Sequence, residues 1–160
     1  MAQNYTKVHY DFNSLHGLKS PRRELELKAV ALGLIKLSPE EGYSFTHHHD
    51  KQEEVYTVVE GTGSMLLDGE LIAVQAGDIL RVSPECQRAL KAGTEGLFII
   101  CSGAVAAGYP KNPNARYLID DGKPDYDDIP PWYQGDPAIK KKNQALKERL
   151  LAAKTKRSST

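Results

Sequence analysis

An all-β domain, a small barrel or sandwich, is the fold class this sequence predicts, and three observations carry the prediction. From Glu26 to Ser102 the chain is a succession of short apolar runs. Turn chemistry divides them at the close intervals expected of sandwiches and barrels. The chain has 160 residues, enough for one such domain with a real core and extensions at both ends.

Residues 1–26 are mixed in character, include Ser20-Pro21-Arg22-Arg23, and read as an N-terminal arm with one early strand near Val8–Tyr10. The barrel is expected over residues 27–106, built from LKAVALGLIKL, EVYTVVEG, GSMLLDGELIAV, GDILRVSP, RALKA and GLFIICSG. Asp68-Gly69 sits between SMLL and ELIAV. Such a pair permits the positive backbone dihedrals of a two-residue hairpin turn. Gln75-Ala76-Gly77-Asp78 and Ser83-Pro84-Glu85 mark two further reversals, and Pro84 has no N–H for a central strand to use.

Residues 107–160 change texture. YPKNPNARYLIDDGKPDYDDIPPWYQGDP has no strand or helix period and reads as a long wrapped loop, its Trp132 and tyrosines first as core-covering groups and only second as a pocket lid. Asp136-Pro137 supplies an N-cap and a first-turn proline, so AIKKKNQALKERLLAAK is expected to form a C-terminal helix. Its lysines and arginines read as a solvated face, with docking to an acidic patch of a partner or second subunit as the alternative.

Composition narrows the partners. The 21 basic and 21 acidic residues balance, so no global field favours nucleic acid or a membrane surface. The apolar runs fall short of the roughly 20 residues that span a bilayer. Cys86 and Cys101 are the two cysteines, and MAQNYTKVHYDFNSL shows no leader pattern, so a reducing cytoplasm is the expected location.

The chemistry concentrates in FTHHHDKQEEVYTVVEG, residues 45–61. Strand side chains alternate faces, so His47 and His49 point one way and His48 the other. Glu54 follows after a turn and reaches the same face if EVYTVV runs beside the histidines. Two imidazoles and a carboxylate form a facial set that divalent transition metals accept while leaving positions open. Tyr56 and Val58 share the parity of Glu54 and should line the barrel, Tyr56 offering a hydroxyl to a ligand. His9, His16, His48, Glu53 and Cys101 have ordinary structural readings, and Cys86 reads as a small residue at a turn.

His47, His49, Glu54 and Gly61 stand in the spacing H-x-H-x4-E-x6-G, which resembles the first motif of the cupin superfamily, with Gly42 as its leading glycine one residue closer than usual. GDILRVSPECQRALKA is similar to the second motif, and GTGSMLLDGELIAVQAG to the hairpin between them. The resemblance covers residues 30–104 and implies a double-stranded β-helix, a jelly-roll barrel, and a homodimer. It departs at one position: aligning Pro84 puts Arg88 where the family usually has a fourth metal ligand, a histidine. A guanidinium stays protonated and cannot ligate.

Three readings of the site follow. His47, His49 and Glu54 hold a divalent transition metal (Mn, Fe, Ni or Zn) as a three-ligand site. Alternatively Arg88 projects inward, pairs with Glu54 and leaves a metal-free binding pocket. In the third, Arg88 binds an anionic ligand whose other atoms reach the metal. A turn one residue longer after Pro84 would instead send Arg88 outward and bring Gln87 or Cys86 to the site. Metal binding requires neutral imidazoles, so its affinity is expected to fall as pH drops through about 6.5. The architecture hosts isomerases, dioxygenases, decarboxylases and non-catalytic binders, and a fold does not name a reaction. The expected function is metal and small-molecule binding, with an anionic metabolite as ligand and an oxygenase or isomerase as the enzyme class. The alternative is a metal-free small-molecule or protein-interaction module.

Overall fold

A computed structural model describes residues 4–105, 125–127, 129 and 133–158. The chain forms two compact units, Met1–Gly108 and Tyr109–Thr160. In the first, β1 (Gly17–Lys19), β2 (Ala31–Leu37), β3 (Gln52–Leu67), β4 (Glu70–Gln75), β5 (Ile79–Val82) and β6 (Arg88–Val105) pair antiparallel in the order β1-β2-β6-β3-β4, with β5 also on β3. Most of the Asp- and Pro-rich loop, with Trp132, lies outside the described residues.

Two long strands organise the domain. The first part of β3 pairs with the last part of β6, from Gln52↔Val105 to Gly61↔Leu97, and its last part with the start of β6, from Gly63↔Ala92 to Leu67↔Arg88. On the first half the neighbours are β2 and β5; on the second they are β4 and an extended segment bridged at Gly42↔Lys91 and His47↔Arg88. One pair of strands thus serves both halves of the jelly roll. Inward parity then follows along each strand, with Glu54, Tyr56 and Val58 buried on β3 and Arg88, Leu90 and Ala92 buried on β6.

The glycine-punctuated stretches between EVYTVVEG and GSMLL, and between RALKA and GLFII, read as strand ends in the sequence. They are the register shifts inside β3 and β6. Gly61 has φ 80°, and a Cβ there would lie 2.1 Å from Gly96 O, so backbone meets backbone where the sheet changes register. Gly61→Ala is expected to cost about 2 kcal/mol, read as a lower urea midpoint, because the left-handed dihedral and the clash both resist a side chain.

The Asp68-Gly69 hairpin forms between β3 and β4 with φ of 48° and 90°, both positive as a type I′ turn requires. No strand forms at Val8–Tyr10; the sheet edge beside β2 is taken instead by β1, Leu18 pairing with Ile35. The segment before β2 also serves packing, since Phe12 lies 5.0 Å from Phe98 ring to ring on the outer face of β6. In the second unit, α1 (Pro137–Ser158) begins where expected, Asp136 Oδ1 accepting from Ala138 N at 2.8 Å as its N-cap. No helix among the described residues is long and apolar enough to cross a membrane.

Candidate metal and ligand site

The histidine segment is extended but is not a regular strand. His47 and Arg88 exchange both backbone hydrogen bonds, 3.0 and 2.9 Å, and His49 N donates to Pro84 O at 2.8 Å. This holds the odd-numbered side chains inward, while exposed His48 turns out and meets Gln87 Nε2 at 3.2 Å. Glu54 does not sit beside the histidines on a ladder. Its Cα partners are Val82 and Gly103, in the other half of the barrel, so the site is made across the fold.

His47, His49 and Glu54 nevertheless converge: one nitrogen or oxygen atom from each lies within 4.8 Å of the others. The two imidazole rings stand edge to face with centroids 5.4 Å apart. Glu54 is surrounded by donors. His49 Nε2 lies 3.1 Å from Oε1, which also accepts from Gln52 Nε2 at 3.0 Å; Tyr56 OH donates to Oε2 at 2.6 Å. Arg88 Nη2 is 3.3 Å from the same Oε2. The Gln52 contact had a sequence signal, since Gln52 shares the strand parity of Glu54.

Arg88 points inward and is completely buried. Nη1 donates to the carbonyls of Pro84 and Cys86 at 2.9 and 2.6 Å, which anchors the guanidinium under the turn. Nε and Nη2 have no hydrogen-bond partner, so its tie to Glu54 is chiefly one of charge. Cys86 and Gln87 stay off the site: Cys86 Sγ turns to Gln87 O and Gln87 N donates to Asp68 Oδ1. Burial, then the nearby Asp68, pushes the Cys86 thiol up, away from a thiolate ligand.

A cavity of about 500 Å³ opens beside this cluster, lined by Tyr56, Glu54 and His47 at its polar end and by Leu18, Ala31, Gly33, Ile35 and Phe45 elsewhere. Arg88 and His49 do not line it. Burial, then the bond to Glu54, raises the Tyr56 hydroxyl's pKa, so Tyr56 stays protonated and a donor. Burial tends to raise Glu54, but the Tyr56 bond and the charges of His49 and Arg88 outweigh it and the net shift is down. Burial first, and Arg88 second, lower His47.

Both shifts predict acid sensitivity of the metal-free protein. A lowered His47 means that the unfolded chain binds the proton more readily, so stability falls as pH drops below about 6.5 toward the folded value; Glu54 adds a second loss below about 4.3. Urea midpoints from pH 8 to 4 check this, and His47→Gln should flatten the upper part of the curve.

The cupin-domain family model matches residues 33–101, the span that holds His47, His49, Glu54, Tyr56 and Arg88. A cupin protein from Bacteroides fragilis is 27% identical, with a TM-score of 0.61, over 73% of this chain and 100% of that chain. Residues 33–101 of the chain are a cupin domain. The cupin domain of Schizosaccharomyces pombe Cnp3 also aligns, at 12% identity and a TM-score of 0.50 over 61% of this cupin and 74% of that chain, a likeness of fold. No curated protein matches at a significant level.

The donor set of this cupin suits a divalent ion. His49 Nε2 and Glu54 Oε1, 3.1 Å apart, are close enough to share one ion once the contact between them is given up. A neutral His47 and an ionised Glu54 are the protonation states that a metal needs. Arg88 opposes a bare dication by charge, and that opposition weakens once an anion joins the site.

Proposed function

We propose that this cupin binds a divalent transition metal (Mn, Fe, Ni or Zn) through His47, His49 and Glu54, and a small molecule in the adjoining cavity. The convergence of those three ligand atoms within 4.8 Å carries the reading. Bound there, the ion would supply Lewis-acid or oxygen-activating chemistry, which makes an oxygenase or isomerase the class of reaction to screen. Tyr56 and Gln52 orient the Glu54 carboxylate, Arg88 keeps it ionised, and the apolar wall excludes water from the ligand. The ion (+2), Arg88 and Glu54 together leave a net positive site, which favours an anionic group on the ligand.

Arg88 takes a positioning role in this proposal, because its full burial and absence from the cavity wall keep it from touching a ligand directly. Metal content of untagged protein tests the reading, beside a Glu54→Ala control. Near-stoichiometric metal in the parent and none in the control is expected.

A second reading has its own observation: His49, Gln52 and Tyr56 within hydrogen-bond distance and the Arg88 charge already surround Glu54. On that reading the cluster satisfies itself, and the cavity is a metal-free binding pocket. Absence of metal from both proteins would select it. We further infer a homodimer acting in the cytoplasm on small molecules rather than nucleic acid or membranes; a monomeric mass by light scattering would overturn the dimer.

A further inference from the structure

Tyr43, Phe45 and His47 follow one another along a segment that bends at Ser44 and Phe45, and all three line the cavity. The Tyr43 and Phe45 rings lie 6.3 Å apart and 15° from parallel. Phe45 is 67% exposed, an apolar ring held open at the mouth rather than spent on the core. The facing wall comes from Leu18, Ala31, Leu32, Gly33 and Ile35. Ser20, at the rim, already donates its hydroxyl to Leu32 O. The ionisable groups Glu54 and His47 gather at one end with Tyr56.

We propose that the cavity takes a small carboxylic acid with a flat apolar body, of the arylalkanoate class, its ring against Tyr43 and Phe45 and its carboxylate at the ion held by His47, His49 and Glu54. The proposal rests on the metal reading above. Phe45 and His47 are two residues apart and line the same cavity, which sets a ring beside Phe45 a few bonds from a head group at His47. Aromatic faces favour a flat partner. Away from the Glu54 end the hydroxyls of a sugar would meet a wall whose side-chain oxygens are those of Tyr43 and Ser20 alone, and a buried hydroxyl left unpaired is costly. Charge selects the head: with the ion present the site is net positive, and without it the Glu54 carboxylate repels another carboxylate.

Isothermal calorimetry on the full chain, loaded with Zn(II) and metal-free, tests this with 3-phenylpropanoate and glucuronate as probes. The loaded protein should bind 3-phenylpropanoate about tenfold or more tighter than glucuronate. Phe45→Ala should weaken 3-phenylpropanoate by about fivefold and leave Zn(II) affinity unchanged, and Phe45→Trp should restore it. Glucuronate binding as well, or indifference to Phe45→Ala, would overturn the proposal while the metal reading stands. If no Zn(II) binds, the metal reading falls and the proposal, whose carboxylate anchor is the ion, is overturned with it; binding of 3-phenylpropanoate that is as tight without Zn(II) as with it would overturn the proposal alone.

Discussion

Replacing Arg88 by Leu is expected to destabilise the metal-free protein by about 3 kcal/mol, the loss seen when one member of a buried ion pair is removed. Arg88 is fully buried and Glu54 is 7% exposed, so water cannot take over the lost partner. Glu54 would keep Tyr56, Gln52 and His49, which limits the damage but leaves its charge uncompensated. The carboxyl should then hold its proton to higher pH, and the deficit should shrink in acid. Urea unfolding of Arg88→Leu, Glu54→Leu and the double variant measures the coupling. The double variant should recover most of the loss, because two apolar groups can replace a buried pair at little cost. Equal midpoints for Arg88→Leu and the parent would show that the pair contributes nothing to folding.

Arg88→His is expected to raise affinity for Zn(II) or Ni(II) on the order of a hundredfold. Two effects add: a positive charge near the dication, partly offset by Glu54, is removed, and an imidazole enters where the family usually has its fourth ligand. The register favours the exchange, since position 88 is bridged directly to His47 and faces inward. Arg88→Gln separates the two effects by removing charge alone, and it should gain less. Competition titration with a chromophoric chelator reads the constants. If Arg88→His binds metal no better than the parent, the site at residue 88 does not adjoin the ion, and the three-ligand proposal loses its geometry.

Much of the candidate site was legible because strand parity is local. The two-residue spacing of His47 and His49, and of Glu54, Tyr56 and Val58, is enough to say which groups share a face. Tyr43 and Phe45 line the cavity across a bend at Ser44 and Phe45, which strand parity does not cover. Strand ends were less legible, since Gly61, Gly63, Gly93 and Gly96 carry the chemistry of turns. The structure uses them for close backbone approach within continuous strands. Nothing in the N-terminal residues distinguished Val8–Tyr10 from Gly17–Lys19, because an edge strand is chosen by the partner it finds.

The sequence by itself determined the all-β class, the Asp68-Gly69 hairpin, the capped C-terminal helix and the alternation that turns His47, His49, Glu54 and Tyr56 inward. Those follow from backbone dihedral preferences and a two-residue period, which need no distant neighbour. Only the tertiary structure decided that the histidines and Glu54 meet from opposite halves of the barrel, and that Arg88 lies buried beneath Glu54 instead of on the cavity wall. Those outcomes depend on register between β3 and β6, strands whose paired residues are far apart in the chain. No local pattern specifies that register; packing of both halves around one core does.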